Sequence, residues 1–249
     1  MFELTENSIL QKITEIDPYD CVDLEFFCET TVELVYSLFN LEFSDINNSN
    51  LVKFDELHVK VFNALKNNKY LKFLGAGSFA STYQIPYSDK VFKINVASCD
   101  SVADSWYPFA KKIMDLNELN PWLPKIHSLY RQGYVYGAII DLLNPIETHD
   151  MGFKQTLVKS IKEIIDSIED KNFQAFKKEG RKVSVVLKNN NYNVNSEEIL
   201  KALDFIIKVK KEEKAEYDIS SQNIMFDQDN NIIINDPLSY SLNYSKKYL

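Results

Sequence analysis

A chain of 249 residues and 28.9 kDa is one domain of two lobes or two small domains, and 45% apolar with 26% charged residues suits a globular protein with a real core. A formal charge of −8 and a pI near 5.0 argue against nucleic acid as the main partner, which would need clustered Lys and Arg. The 36 acids are interspersed with 28 bases rather than held in blocks, which argues against an acidic mimic of DNA. No apolar run reaches the ~18 residues of a membrane span, and the acidic N-terminus lacks the basic flank of a signal peptide. Cys21, Cys28 and Cys99 are odd in number and show no C-x-x-C spacing, so they read as buried free thiols of a reducing compartment. The chain is expected to be cytosolic.

Residues 1–68 read as helical. Leu10, Ile13 and Ile16 recur every third position, Leu24, Phe27, Val32, Val35, Leu38 and Phe39 follow a helical stripe, and Phe54, Leu57, Val61, Phe62 and Leu65 make a third. They carry no evident chemistry and are expected to form a helical cap. At residue 70 the period changes to that of strands. Strand, Gly-rich turn, strand, turn and strand follow one another through Leu74-Gly75-Ala76-Gly77-Ser78-Phe79, Thr82 to Ile85, Pro86 to Asp89, and Val91-Phe92-Lys93-Ile94. Glycines at 75 and 77 leave room for an anion against the backbone. No Gly-Lys-Ser/Thr follows them, which excludes a Walker A loop. A strand follows rather than a helix, which excludes a dinucleotide turn. Lys93 stands alone among apolar neighbours on the third strand.

A helix is expected over 100–118, with Asp100-Ser101 as its cap and Pro121 and Pro124 beyond its end. Ile126–Tyr130 and Tyr134–Ile140 form a hairpin around Gln132-Gly133 and run into Asp141-Leu142-Leu143. Helical periodicity returns from 150 to 178, and a further helix starts at Ser196 and delivers the chain to Tyr217-Asp218. His58, His127 and His149 lack metal-ligand spacing.

The stretch 216–238 carries the chemistry. Asp218 and Asn223 stand five residues apart on a loop, a short strand pair follows, and Asp236 ends its second strand, 18 residues after Asp218. Phosphoryl transfer from ATP needs such a set: one carboxylate to orient the hydroxyl nucleophile, an amide and a second carboxylate to hold Mg²⁺.

Leu74-Gly-Ala-Gly-Ser-Phe-Ala-Ser, Ile139-Ile-Asp-Leu-Leu, Asp218 to Phe226 and Asn235-Asp-Pro-Leu-Ser, taken together, resemble the early serine/threonine protein kinases of podoviral coliphages. The resemblance covers about residues 70–242. It implies an α+β, two-lobed protein-kinase-like fold with a small antiparallel-sheet N-lobe and a helical, truncated C-lobe, preceded by the helical cap. The implied divisions are 1–68 for the cap, 69–142 for the N-lobe and 143–249 for the C-lobe. Asp218 then matches the catalytic base, and Asn223 and Asp236 match the metal-binding residues. Lys93 matches the phosphate-binding lysine, and Gly75, Ala76, Gly77 and Ser78 the phosphate cover. Thr82, Val91, Ile140, Asp141 and Leu143 fall around the adenine. ATP and Mg²⁺ are the implied cofactors. The implied partners are host proteins of transcription and RNA processing, phosphorylated early in infection in the bacterial cytoplasm, with neither nucleic acid nor membrane bound.

The departures from the resemblance also carry consequences. Glu216-Tyr217 stands where kinases place His-Arg, Ser220 where a cation touches the transferred phosphate, and Pro237 follows the metal-binding acid. No Glu occupies the helix position that pairs with Lys93, where Asp100, Asp104 and Asp115 are the candidates. Only 13 residues follow Asp236, so no activation segment is expected. Two alternatives fit these departures: an impaired kinase that binds and blocks a host protein, and a small-molecule phosphotransferase.

Overall fold

The computed structural model describes residues 5–42, 51–77, 80–96, 105–133, 135–145, 151–169, 196–229 and 231–240. Mixed helix and antiparallel sheet divide into two compact units. The first takes residues 1–102 and 126–141, the second 103–125 and 142–249.

The first unit holds α1 (Glu6–Glu15), α2 (Leu24–Glu42), α3 (Leu51–Lys66) and five strands. Thr5 starts α1 with a reciprocal cap, in which its hydroxyl accepts from Ser8 N–H and the Ser8 hydroxyl accepts from Thr5 N–H. Asp23 accepts from Phe26 N–H at the start of α2, satisfying one of the open amides of a first turn. Buried Asn68 donates to the carbonyls of Ile13 and Ile16 at 2.9 and 3.0 Å, so the end of α1 is tied to the chain entering the sheet.

The strands are β1 (Lys72–Ala76), β2 (Ala80–Gln84), β3 (Lys90–Val96), β4 (Ile126–Gln132) and β5 (Val135–Asp141), in the spatial order β1-β2-β3-β5-β4. The period-2 pattern read from residue 70 onward is therefore realised as an antiparallel sheet. The turn at Gln132-Gly133 needs its glycine. Gly133 has φ +57°, and a Cβ there would lie 2.5 Å from the Tyr36 ring. Helix α2 lays Phe27, Cys28, Val32, Val35 and Phe39 into one core with Tyr83, Phe92, Ile94 and Ile139 of the sheet. Phe27 meets Phe92 edge to face at 5.1 Å between ring centroids. Burial pushes the Cys28 thiol up to about 12, so it stays a protonated packing group. Cys21 is half-buried outside the helices, and Cys99 lies outside the described residues.

The second unit holds α4 (Trp106–Met114), α5 (Met151–Glu169), α6 (Ser196–Glu213) and short strands β6 (Asn144–Pro145), β7 (Glu216–Tyr217), β8 (Ile224–Phe226), β9 (Ile232–Ile234) and β10 (Leu238–Ser239). Its buried apolar residues come mainly from α4 (Trp106, Phe109, Ile113), α5 (Leu157, Ile161, Ile164), α6 (Ile199, Leu203, Ile206) and β8–β9. Helix α4 is shorter than expected from residues 100–118. Asp115 caps it, and Leu116 N–H turns back to the Ile113 carbonyl in a tight last turn. The expected cap Asp100-Ser101 and the acid Asp104 lie outside the described residues, as does the chain between 170 and 195. Lys112 of α4 pairs with Glu212 and Glu213 of α6 at 2.7 and 3.4 Å.

Candidate functional site

The acid, amide and acid of the 216–238 stretch come together within the second unit. Strand β7 brings the chain to Asp218 and pairs antiparallel with β10, while β8 pairs with β9 and β6. Between these two ladders runs the loop 218–223. Two main-chain bonds cross from it to the segment on either side of Asp236. Asp218 N–H donates to the Pro237 carbonyl at 2.7 Å, and Asn235 N–H donates to the Asn223 carbonyl at 2.8 Å. Asp236 is thus held between two residues, one bonded to Asn223 and the other to Asp218.

The side chains complete the arrangement. Asn223 Nδ2 donates to the Asp218 carbonyl at 2.8 Å and to Asp218 Oδ2 at 3.0 Å. Both hydrogens of the amide point at Asp218, so Asn223 Oδ1 is the atom left to serve as a ligand. Asp218 is exposed, and Asn223 and Asp236 are half-buried. Amide and carboxylate oxygens are the hard donors that Mg²⁺ prefers, and two protein ligands leave coordination positions for phosphate and water, as that ion usually requires. The donor set therefore fits the metal.

Helix α4 supports the segment around Asp236 from behind. Trp106 Nε1 donates to the Asn235 carbonyl at 3.2 Å, and buried Ser105 donates through its hydroxyl to the Leu238 carbonyl. Ile234 N–H is taken by the Trp122 carbonyl at 2.8 Å. These anchors left no mark in the sequence, since a Trp and a Ser at a helix start read equally well as core and cap.

Asp218 also lines an open groove of about 590 Å³. Gln155, Lys159, Lys162 and Asp166 of α5 face Tyr217, Asp218 and Ser220 across it. A groove of this size accepts an extended peptide segment or a small molecule.

The remaining candidates lie elsewhere. Gly75 and Gly77 have ordinary φ values, and among the described residues a Cβ at either would meet nothing within 4 Å. Neither backbone strain nor crowding by the protein explains them. Gly77 N–H is already taken by the Ala80 carbonyl at 2.8 Å. Ser78 lies outside the described residues. Thr82 pairs with Lys93 across β2 and β3, and Lys93 with Ala138 across β3 and β5. Lys93 is 7% exposed, and Val91 and Ile140 are buried and directly opposite one another on β3 and β5. Leu143 is buried and Ala76 exposed.

Asp141 is already occupied by protein partners. Its Oδ1 accepts from Lys90 Nζ at 2.8 Å and meets His127 Nε2 at 2.6 Å. Burial pulls this carboxyl up, but the bonds from Lys90 and His127 outweigh it and hold it below the ordinary carboxylate range. A depressed carboxyl contributes stability above its unfolded value of about 3.9 and loses it as pH falls through the folded value. Asp141→Asn is therefore expected to cost about 1 kcal/mol at pH 7, the scale of a partly exposed ion pair. In urea titrations that gap should close as the pH falls below about 3.9, the ordinary unfolded Asp value. A gap of equal size at every pH would show that the carboxylate's charge contributes nothing.

The described residues thus define a mixed helix-and-sheet protein with a braced acid–amide–acid site in its second unit. Residues 3–248 match the model of the family described as Bacteriophage T7 protein kinase 0.7, and the chain belongs to that family. Membership implies protein kinase function and the use of ATP. No curated protein matches the chain. Among the described residues, no helix is long and apolar enough to cross a membrane.

Proposed function

We propose that this protein is a Mg-ATP-dependent serine/threonine kinase of a bacteriophage. It transfers the γ-phosphate to hydroxyls of host proteins in the bacterial cytoplasm. The observation that carries this reading is the bracing of Asp236 between the two bonds Asp218 N–H to Pro237 and Asn235 N–H to Asn223. Turns of ordinary surface loops have no reason to tie an acid, an amide and a second acid into one cluster.

In this reading Asp218 accepts and orients the hydroxyl proton of the acceptor, which enters by the groove against α5. Asn223 Oδ1 and the Asp236 carboxylate hold Mg²⁺. The bound metal neutralises charge on the phosphates. Lys93, nearly buried on β3, holds phosphate oxygens of ATP, and Val91, Ile140 and Thr82 supply the apolar and β-branched surface for adenine. The open space over Gly75 and Gly77 suits a phosphate cover, since the chain itself makes no other demand for glycine there. The fold is then kinase-like, with the first unit as N-lobe, including α1–α3, and the second as C-lobe. Pinned by Lys90 and His127, the Asp141 side chain leaves recognition of the adenine edge to main-chain groups.

Asp236→Ala tests the metal assignment. Mg-ATP is expected to raise the melting temperature of the wild-type protein by several degrees, as ligand at about 100 times Kd contributes about 2.7 kcal/mol. EDTA should remove the shift, and Asp236→Ala should lack it. A shift of the same size in the variant would overturn the assignment. No Mg-dependent shift in either protein would favour a binding module that merely retains the fold.

A further inference from the structure

We propose that Tyr217, Glu169 and Lys210 form a positioning lock for Asp218, an inference that rests on the catalytic reading above. The Tyr217 hydroxyl donates to Glu169 Oε1 at 3.0 Å, and Lys210 Nζ donates to the same oxygen at 3.1 Å. Lys210 Nζ also stands 4.4 Å from the centroid of the Tyr217 ring, a cation–π distance. One side chain from the last turn of α5, one from α6 and the residue immediately before Asp218 therefore close a triangle.

Three features show that the triangle is more than a surface ion pair. The Glu169 and Lys210 side chains retain only 29% and 26% of their exposure. Burial pulls the Glu169 carboxyl up, yet the bonds from Lys210 and Tyr217 prevail and hold it below the ordinary range. Burial, reinforced by the Glu169 charge, pushes the Tyr217 phenol up, so it remains a donor across the physiological range.

The consequence falls on the loop. Asp218 makes its main-chain bond to Pro237 and receives the Asn223 amide, and among the described residues no hydrogen bond joins its exposed carboxylate to α5. Tyr217 supplies that link one residue upstream, fixing the chain direction at the edge of the groove. The loop is held by a carboxylate and a lysine of the chain itself, so the site is set in its working geometry without a modification.

Tyr217→Phe tests the lock, because it removes only the hydroxyl and keeps the ring beneath Lys210. Its kcat for phosphoryl transfer should fall about tenfold with KM for ATP within about twofold of wild type, the signature of a contact that matters in the transition state. Lys210→Met should fall as far, whereas Lys210→Arg, which keeps both charge and stacking, should restore most of the rate. A Tyr217→Phe enzyme with wild-type kcat would overturn the inference. So would a lower melting temperature or a higher KM for ATP with kcat unchanged, which would leave the triangle a stabilising contact only. If the wild-type protein transfers no phosphate, or if Asp218→Asn transfers as fast as wild type, the catalytic reading itself has failed and the lock with it.

Discussion

Asp218→Asn is expected to lower kcat about a thousandfold while leaving the affinity for Mg-ATP within about twofold. The estimate rests on what a positioned general base contributes, roughly 10²–10⁴-fold. Asn is isosteric, and its side-chain oxygen still accepts from Asn223 Nδ2, so the bracing of the loop should survive. The main-chain bonds Asp218 to Pro237 and Asn235 to Asn223 do not involve the substituted atoms at all. What disappears is the negative charge of the Asp218 carboxylate itself. Asp236→Ala should behave differently, losing metal-dependent binding together with rate. Steady-state kinetics beside calorimetric titration separates the two. Equal losses of binding and rate in Asp218→Asn would mean that its carboxylate holds the metal.

The largest effect on stability is expected at Gly137 in β5. A Cβ at this position would lie 2.8 Å from Val32 Cγ2, 2.9 Å from Phe92 Cε2 and 3.1 Å from Cys28 Sγ. All three belong to fully buried side chains between α2 and the sheet. The Phe92 ring is further fixed by its edge contact with Phe27. Overpacking such a core costs about 1–3 kcal/mol, so Gly137→Ala should lose about 2 kcal/mol and Gly137→Val about 3 or more. Against a total of about 5–15 kcal/mol for a typical domain, the second variant approaches unfolding. Val32→Ala should rescue Gly137→Ala in part, since it removes the nearest methyl, and a double-mutant cycle in urea measures the coupling. A Gly137→Val protein within about 0.5 kcal/mol of wild type would show that α2 moves away freely.

The sheet was legible in the sequence because its cause is local. Burial alternates along β1 and β2, and the glycine at 133 answers a positive φ, whereas β3 is buried at every position from Val91 to Val96. The same holds for Asp218, Asn223 and Asp236, whose spacing implied a cluster that the two crossing main-chain bonds now join. What could not be read was pairing between distant residues. Tyr217 stood out only as a substitute for an Arg, and neither Glu169, 48 positions away, nor Lys210 announced itself as its partner. Lys90 and His127 gave no sign that both would meet Asp141. Trp106 and Ser105 likewise bond carbonyls more than a hundred residues downstream. Each of these contacts depends on tertiary placement of a side chain whose type has several ordinary uses.

The extent of α4 shows the converse. Apolar spacing through Leu116 extended the helix to 118, yet the chain leaves it at Asp115 in a tight turn. Leu116 is half-buried in that turn, while Trp122 and Leu123 beyond it are buried.

The most direct measurement is transfer of label from [γ-³²P]ATP to protein hydroxyls by the purified chain, with bacterial extract as acceptor. Label is expected on serine and threonine in the presence of Mg²⁺, with none after EDTA, none from α-labelled ATP and almost none with Asp218→Asn. Absence of label under every condition, or equal labelling by wild type and Asp218→Asn, would contradict the assignment of the Asp218–Asn223–Asp236 cluster as a phosphoryl-transfer site.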